Sequence, residues 1–141
     1  MQHQIVFLDR ESVGANVRTP EFQHSYKEYE ATWTPEEIIE RLKDATIVII
    51  NKVPMHADTL KQLPKLKLIA VAATGTDVVD KAYCKQNGIT VVNIRNYAFN
   101  TVPEHVMALI FALRRNLLAY VADVRAGRWG KVNQFCFFDH P

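Results

Sequence analysis

Short apolar runs alternate along the chain with stretches of helical spacing. Ile5-Val6-Phe7-Leu8 is a strand-length run that ends at Asp9, and residues 26–30 read as a weaker second strand. Thr34 followed by Pro35, Glu36 and Glu37 predicts a helix start: a hydroxyl at the N-cap, proline at the first helical position and an acidic first turn. That helix is expected to reach about Lys43. Thr46 to Ile50 is a β-branched run, continuous enough to predict a strand buried on both faces. A loop at Asn51-Lys52-Val53-Pro54 and a helix from about Ala57 follow. Leu68 to Ala72 predicts another buried strand, followed by the loop Ala73-Thr74-Gly75-Thr76. Asp77 is expected to cap a helix over Val78 to Asn87, Gly88 to supply its left-handed end, and Ile89 to Val92 to form a fifth strand.

Five strands separated by helices imply an α/β fold with a parallel, doubly wound sheet. The expected strand order is the flavodoxin-like 2-1-3-4-5. Residues 1–99 are assigned to this domain. From Thr101 the pattern changes. Thr101-Val102-Pro103-Glu104 has the form of a capping box, and helical spacing continues to about Ala126, with Gly127 as the stop. A single helix of about 25 residues would be roughly 37 Å long, more than one small sheet requires. Val106 to Leu113 is apolar on every side, so this helix is expected to be covered by something besides the sheet. Residues 100–127 therefore read as an interdomain or dimerisation helix, and 128–141 as a segment leading elsewhere. Phe135, Cys136, Phe137 and Phe138 add a second cluster that needs cover.

Composition narrows the function classes. With 48% hydrophobic and 23% charged residues the chain is an ordinary globular mixture. A net charge of +2 without a basic cluster gives no argument for nucleic acid. The longest apolar run is the eight residues Val106–Leu113, far short of a membrane span, and no signal-peptide pattern opens the sequence. Cys84 and Cys136 follow no metal spacing and read as reduced thiols of a cytoplasmic protein. His3, His24, His56 and His140 form no metal set. His105, on the apolar helix, is expected to be packed or to cap.

Ligands of open parallel sheets bind at the carboxyl ends of the strands, which singles out two loops. At Thr74-Gly75 main-chain N–H groups can face an anion, and Gly75 allows close approach with no Cβ in the way. A Thr-Gly pair at a strand end is also what an ordinary turn looks like. Lys52 could face a carboxylate, although a loop lysine is more often simply solvated.

Longer stretches add a resemblance. Val71-Ala-Ala-Thr-Gly-Thr-Asp-Val-Val-Asp80 resembles the substrate loop of the D-isomer-specific 2-hydroxyacid dehydrogenases. The run from Asn100 to Asn116 resembles the helix that crosses between that family's two domains. Gly127-Arg-Trp129 and Gln134-Phe-Cys-Phe-Phe-Asp139 are similar to the segment before its nucleotide-binding domain, in the form found in glycerate dehydrogenases (hydroxypyruvate reductases). The resemblance covers essentially the whole chain in order. It implies an oxidoreductase that transfers hydride between NAD and a small D-2-hydroxy or 2-keto carboxylate, with glycerate and hydroxypyruvate as the implied pair, and a homodimer. It also implies that the backbone at Gly75 binds the substrate carboxylate and that the Lys52-Val53 loop closes over it. Thr74 would lie beside the cofactor, and the helix start near Val102 would approach the nicotinamide. The family often has a small residue before the glutamate at that helix start; Pro103 stands there instead and has no N–H to donate.

The five glycines (Gly14, Gly75, Gly88, Gly127 and Gly130) make no G-x-G-x-x-G. The family's substrate-orienting arginine, proton-exchanging histidine and its carboxylate partner likewise have no counterpart, so these 141 residues alone are expected to be inactive, with no catalytic residue among them. Two other classes compete. A signalling receiver would need an acidic phosphoacceptor after the third strand, where Asn51-Lys52 stands. A non-enzymatic, NAD-sensing co-repressor of the same superfamily would keep similar loops, and stays open as the alternative.

Overall fold

The computed structural model describes residues 2–18, 20–133 and 135–137. The chain divides into two compact units, Met1–Arg95 and Asn96–Pro141.

The first unit is a five-stranded parallel sheet built from β1 (His3–Phe7), β2 (His24–Glu28), β3 (Ile47–Ile50), β4 (Leu68–Val71) and β5 (Thr90–Asn93). Their order is β2-β1-β3-β4-β5, the flavodoxin-like order expected for this fold class. Its helices are α1 (Pro35–Leu42), α2 (Ala57–Leu60) and α3 (Lys81–Gln86). Register aligns Val6, Val48, Ile69 and Val91 in one row across the sheet. On that face Val6, Val48 and Ile69 pack in a single core with Ile38 and Leu42 of α1, Leu60 of α2 and Cys84 of α3.

The opposite face is covered differently. In β3, burial alternates along Ile47–Ile50, with Ile47 and Ile49 only half-buried. The expectation of a strand buried on both faces is thus corrected for this unit. Right-handed crossovers from β2 to β3, β3 to β4 and β4 to β5 all run in one direction and place their helices on one face. The β1–β2 connection runs the other way and contains only a 3₁₀ turn, Arg10–Ser12, in place of an α-helix. Coil residues Val17, Pro20 and Phe22 sit with Ile47, Ile49 and Leu68 around a cavity of about 270 Å³.

Thr34 caps α1 as the sequence predicted. Its hydroxyl accepts from the Glu37 N–H at 3.2 Å, and the Glu37 carboxylate accepts from the N–H groups of Trp33 (2.8 Å) and Thr34 (3.2 Å). These bonds hold the Glu37 carboxyl below its usual range. The cap of α3 is not Asp77 but Asp80, whose carboxylate accepts from the Tyr83 N–H at 2.9 Å. Val79 is drawn into a parallel bridge with Met55, and its N–H donates to Thr76 O at 3.1 Å, so residues 76–79 form a turn and the helix begins only after them.

In the second unit the expected single helix is two: α4 (Thr101–Arg114) and α5 (Leu117–Arg125), bent by 61°. Asn116 lies between them in the left-handed region (φ 49°, ψ 42°), which asparagine tolerates better than most residues and which ends a helix. Thr101 is not a cap. The Val102 N–H already donates to Ala98 O at 3.2 Å, and the Thr101 hydroxyl donates to Tyr97 O, so the backbone is wound before the expected start. Gly127 ends α5 with φ +70°, as predicted. Val106, Met107, Leu109, Ile110 and Phe111 are exposed, and so is His105, contrary to the packed or capping role expected of it. In the tail, Phe135 is fully exposed, whereas Phe137 is buried. Its ring meets Tyr120 at 5.2 Å and Trp129 at 5.5 Å, with the Arg128 guanidinium 4.6 Å above it. Phe138 and His140 lie outside the described residues. Among the described residues no single helix is long and apolar enough to cross a membrane; α4 and α5 together reach that length and composition, but across the bend.

Candidate functional site

The carboxyl ends of β1, β3 and β4 are the places where this sheet can present main-chain groups to a ligand. Ile50 of β3 is in register with Val71 of β4, and the Ala72 N–H donates to Ile50 O at 2.7 Å. The Lys52 loop and the Thr74 loop therefore leave neighbouring strands at the same end of the sheet, about 4.8 Å apart at their roots.

The loop after β4 is held by its side chains. The Thr74 hydroxyl donates to Ile94 O at 3.1 Å, and the Asn93 side-chain amide donates to Thr74 O at 2.7 Å. Among the described residues no group accepts from the N–H of Thr74, Gly75, Thr76 or Asp77, and Thr74, Gly75 and Asp77 are exposed. Successive unpaired N–H groups of this kind form an anion-binding concavity. Nothing in the fold requires glycine at position 75. A Cβ there would meet only Asp77 Oδ2, at 3.8 Å, and the backbone is not left-handed, in contrast with Gly88 and Gly127.

The loop after β3 is pinned at both ends. Asp9, only 6% exposed, accepts from the N–H of Asn51 at 2.9 Å and of Lys52 at 2.7 Å. At the far end the Met55 N–H donates to Val78 O at 2.7 Å, and Met55 O accepts from the Asp80 N–H at 3.0 Å. Between these anchors the Lys52 side chain is exposed and makes no hydrogen bond or ion pair among the described residues. Val53 is turned the other way: the residue as a whole is only 3% exposed, and its side chain belongs to the core.

Lys52 and Val53 line a cleft of about 420 Å³ together with Asp9, Ser12, Thr32 and Trp33. Thr32 closes its floor. The Thr32 hydroxyl donates to Leu8 O and accepts from Arg41 Nη1 at 2.6 Å, while Trp33 stands 79% exposed on the lip. Thr74 and Gly75 do not line this cleft. Val102, the remaining sequence-predicted site residue, lies in the first turn of α4 in the second unit. Its side chain is exposed, and its N–H is committed to Ala98 O. Sequence reasoning missed Asp9, Ser12 and Asn93. The one available signal was a carboxylate placed directly after an apolar strand. Among the described residues no group of three His, Cys, Asp or Glu could hold a metal ion.

Comparison with known proteins bears on this arrangement. A family profile described as "D-isomer specific 2-hydroxyacid dehydrogenase, catalytic domain" matches residues 5–134. A glycerate dehydrogenase from Methylorubrum extorquens is 70% identical over 141 residues, all of this chain and 45% of that protein. A putative 2-hydroxyacid dehydrogenase from Haemophilus influenzae is 46% identical over 98% of this chain and 44% of its own length. The chain thus spans about half the length of the curated relatives it matches. Among solved structures, D-lactate dehydrogenase from Aquifex aeolicus complexed with NAD and lactic acid is similar in fold. Its TM-score is 0.65 at 22% identity, covering 99% of this chain and 40% of that one.

Proposed function

The chain belongs to the D-isomer-specific 2-hydroxyacid dehydrogenase family, and on that premise we infer that residues 1–99 form the substrate-binding domain of an oxidoreductase acting on a small D-2-hydroxy or 2-keto acid. The observation that carries the reading is the run of unpaired main-chain N–H groups from Thr74 to Asp77 at the carboxyl end of β4. A hydrogen bond from such a group to a carboxylate is worth about 1.5–3 kcal/mol, and Gly75 leaves the approach open. Lys52 supplies a positive charge from the neighbouring loop, and Val53 takes part through its main chain, since its side chain is in the core. Glycerate and hydroxypyruvate are the proposed substrate pair, because the relative named glycerate dehydrogenase is 70% identical to this chain.

NAD is the proposed cofactor of the whole protein. This chain's own residues do not fit as its cradle: no two of the five glycines stand two residues apart, as the phosphate-binding fingerprint requires. Nucleotide binding and proton exchange are accordingly assigned to residues outside this chain. Thr74 would lie beside the cofactor, with its hydroxyl hydrogen committed to Ile94 O, and Val102 would touch the nicotinamide through its side chain alone. Residues 100–127 are proposed as the interdomain element and residues 128–141 as the lead into the nucleotide domain. The exposed apolar faces of α4 and α5 fit contacts with that domain and with a second subunit of a homodimer in the cytoplasm.

Titration of the isotopically labelled chain with D-glycerate tests the site directly. Amide shifts concentrated at Thr74–Asp77 and Lys52–Val53 are expected. Shifts confined to other loops would remove the basis of the reading.

A further inference from the structure

Asp9 is a buried carboxylate whose hydrogen-bond capacity is spent on one loop. Asp9 Oδ1 accepts from the Asn51 N–H at 2.9 Å, and Oδ2 from the Lys52 N–H at 2.7 Å. Ser12 completes a knot. Its hydroxyl lies 2.6 Å from Asp9 O and 3.3 Å from Oδ2, and the Asn51 side-chain amide donates to Ser12 O at 3.2 Å and to Ser12 Oγ at 3.1 Å. β1 and β3 are paired in register from Ile5–Ile47 to Phe7–Ile49, and the Leu8 N–H still donates to Ile49 O. One residue later the Asp9 side chain takes the place of the next main-chain acceptor. The ladder ends there, and two consecutive N–H groups of the Lys52 loop are turned inward.

That arrangement decides what the loop can offer a ligand. The N–H groups of Asn51 and Lys52 are taken by Asp9, Pro54 has none, and the Met55 N–H is taken by Val78 O. The Val53 N–H has no acceptor among the described residues, and the Lys52 ammonium is likewise unpaired. With Val53 packed in the core, the main chain of this loop is held at both ends by the two anchors, and Lys52 and Val53 both line the cleft. The Met55 anchor is main chain; the Asp9 anchor is a side chain. We propose that Asp9, supported by Ser12, is a positioning residue for substrate recognition: it fixes the Lys52-Val53 loop so that the Val53 N–H and the Lys52 ammonium are presented together to the substrate carboxylate. It touches no substrate itself.

The proposal rests on the substrate-binding reading above, and its test separates the two. In the full-length enzyme, Asp9→Ala is expected to raise KM for hydroxypyruvate by about ten- to a hundredfold, the usual effect of misplacing a binding group by an ångström or so. KM for NADH should stay within about threefold, on the same principle that the lost contact is local. Asp9→Asn retains one acceptor oxygen and should fall between wild type and Asp9→Ala. Ser12→Ala keeps the carboxylate and should show a smaller rise in KM; it carries the test if the Asp9 variants do not fold. Amide hydrogen exchange is the independent readout. Asn51 and Lys52 should be protected in the wild type and lose at least tenfold protection in Asp9→Ala, a change that uniform destabilisation would spread over the whole domain. Wild-type turnover with unchanged hydroxypyruvate KM in the variants would overturn the positioning role and leave the substrate reading standing. A full-length wild type that turns over no 2-keto acid would overturn both.

Discussion

Replacing Gly75 by alanine should affect folding and substrate binding in opposite directions. The added Cβ would lie 3.8 Å from Asp77 Oδ2, an ordinary van der Waals contact, and the backbone at 75 is not left-handed. At such a position a glycine-to-alanine change removes freedom from the unfolded chain and stabilises the fold by about 0.4–1 kcal/mol. The same methyl group occupies the space through which a carboxylate must come to reach the 74–77 N–H groups. Losing one charge-assisted hydrogen bond costs about 1.5–3 kcal/mol, which is roughly ten- to a hundredfold in kcat/KM for hydroxypyruvate. Gly75→Val should deepen the kinetic defect. Chemical denaturation of this chain and steady-state kinetics of the full-length enzyme measure the two halves. A variant as stable as wild type with unchanged kcat/KM would show that the carboxylate does not bind here. A loss of more than about 2 kcal/mol of stability would show that the fold itself requires the glycine, since ordinary surface changes cost far less.

Glu37 should make the fold acid-sensitive through α1. Its carboxyl is held low by hydrogen bonds from the N–H groups of Trp33 and then Thr34. Its stabilisation is therefore complete above the unfolded value of about 4.3 and disappears as pH falls through the depressed folded value. The melting-temperature gap between wild type and Glu37→Gln, which mimics the protonated acid, should be widest above about pH 5 and shrink as pH falls below the unfolded carboxyl value; a gap independent of pH refutes the assignment. The purified 141-residue chain should oxidise NADH with hydroxypyruvate no faster than a buffer blank, because no dinucleotide fingerprint or proton-exchanging set lies on it; turnover would contradict the placement of both outside this chain. It should also self-associate at micromolar concentration through α4 and α5, where apolar residues such as Leu113 (78% exposed) and Leu118 (81% exposed) stand open to solvent. A single monomeric species in sedimentation would refute that.

The elements and their order were legible in the sequence because strands and helix ends are written in short-range patterns. The runs at 5–8, 46–50 and 68–72 fall on the strands His3–Phe7, Ile47–Ile50 and Leu68–Val71, the Thr34–Glu37 cap is formed, and Gly88 and Gly127 sit at left-handed positions. The parallel sheet follows from that alternation, whereas its order 2-1-3-4-5 was expected only by analogy with flavodoxin-like folds. What the sequence alone left undecided depends on contacts between distant residues. Whether Asp77 or Asp80 begins α3 is settled by the bridge between Met55 and Val79, 24 residues apart. The β3 run looks fully buried in one dimension, but only a β1–β2 connection lacking an α-helix reveals that one face is covered by coil. The left-handed turn at Asn116 divides a helix whose apolar pattern is continuous, because a single backbone rotation leaves no mark on periodicity. The candidate site follows the same rule. Lys52, Thr74 and Gly75 were marked by their place at strand ends, whereas the role of Asp9 became visible only when the sheet brought it to the amides of Asn51 and Lys52, more than forty residues away. A carboxylate acquires such a role from what its burial forces it to bond, and burial is a property of the folded chain.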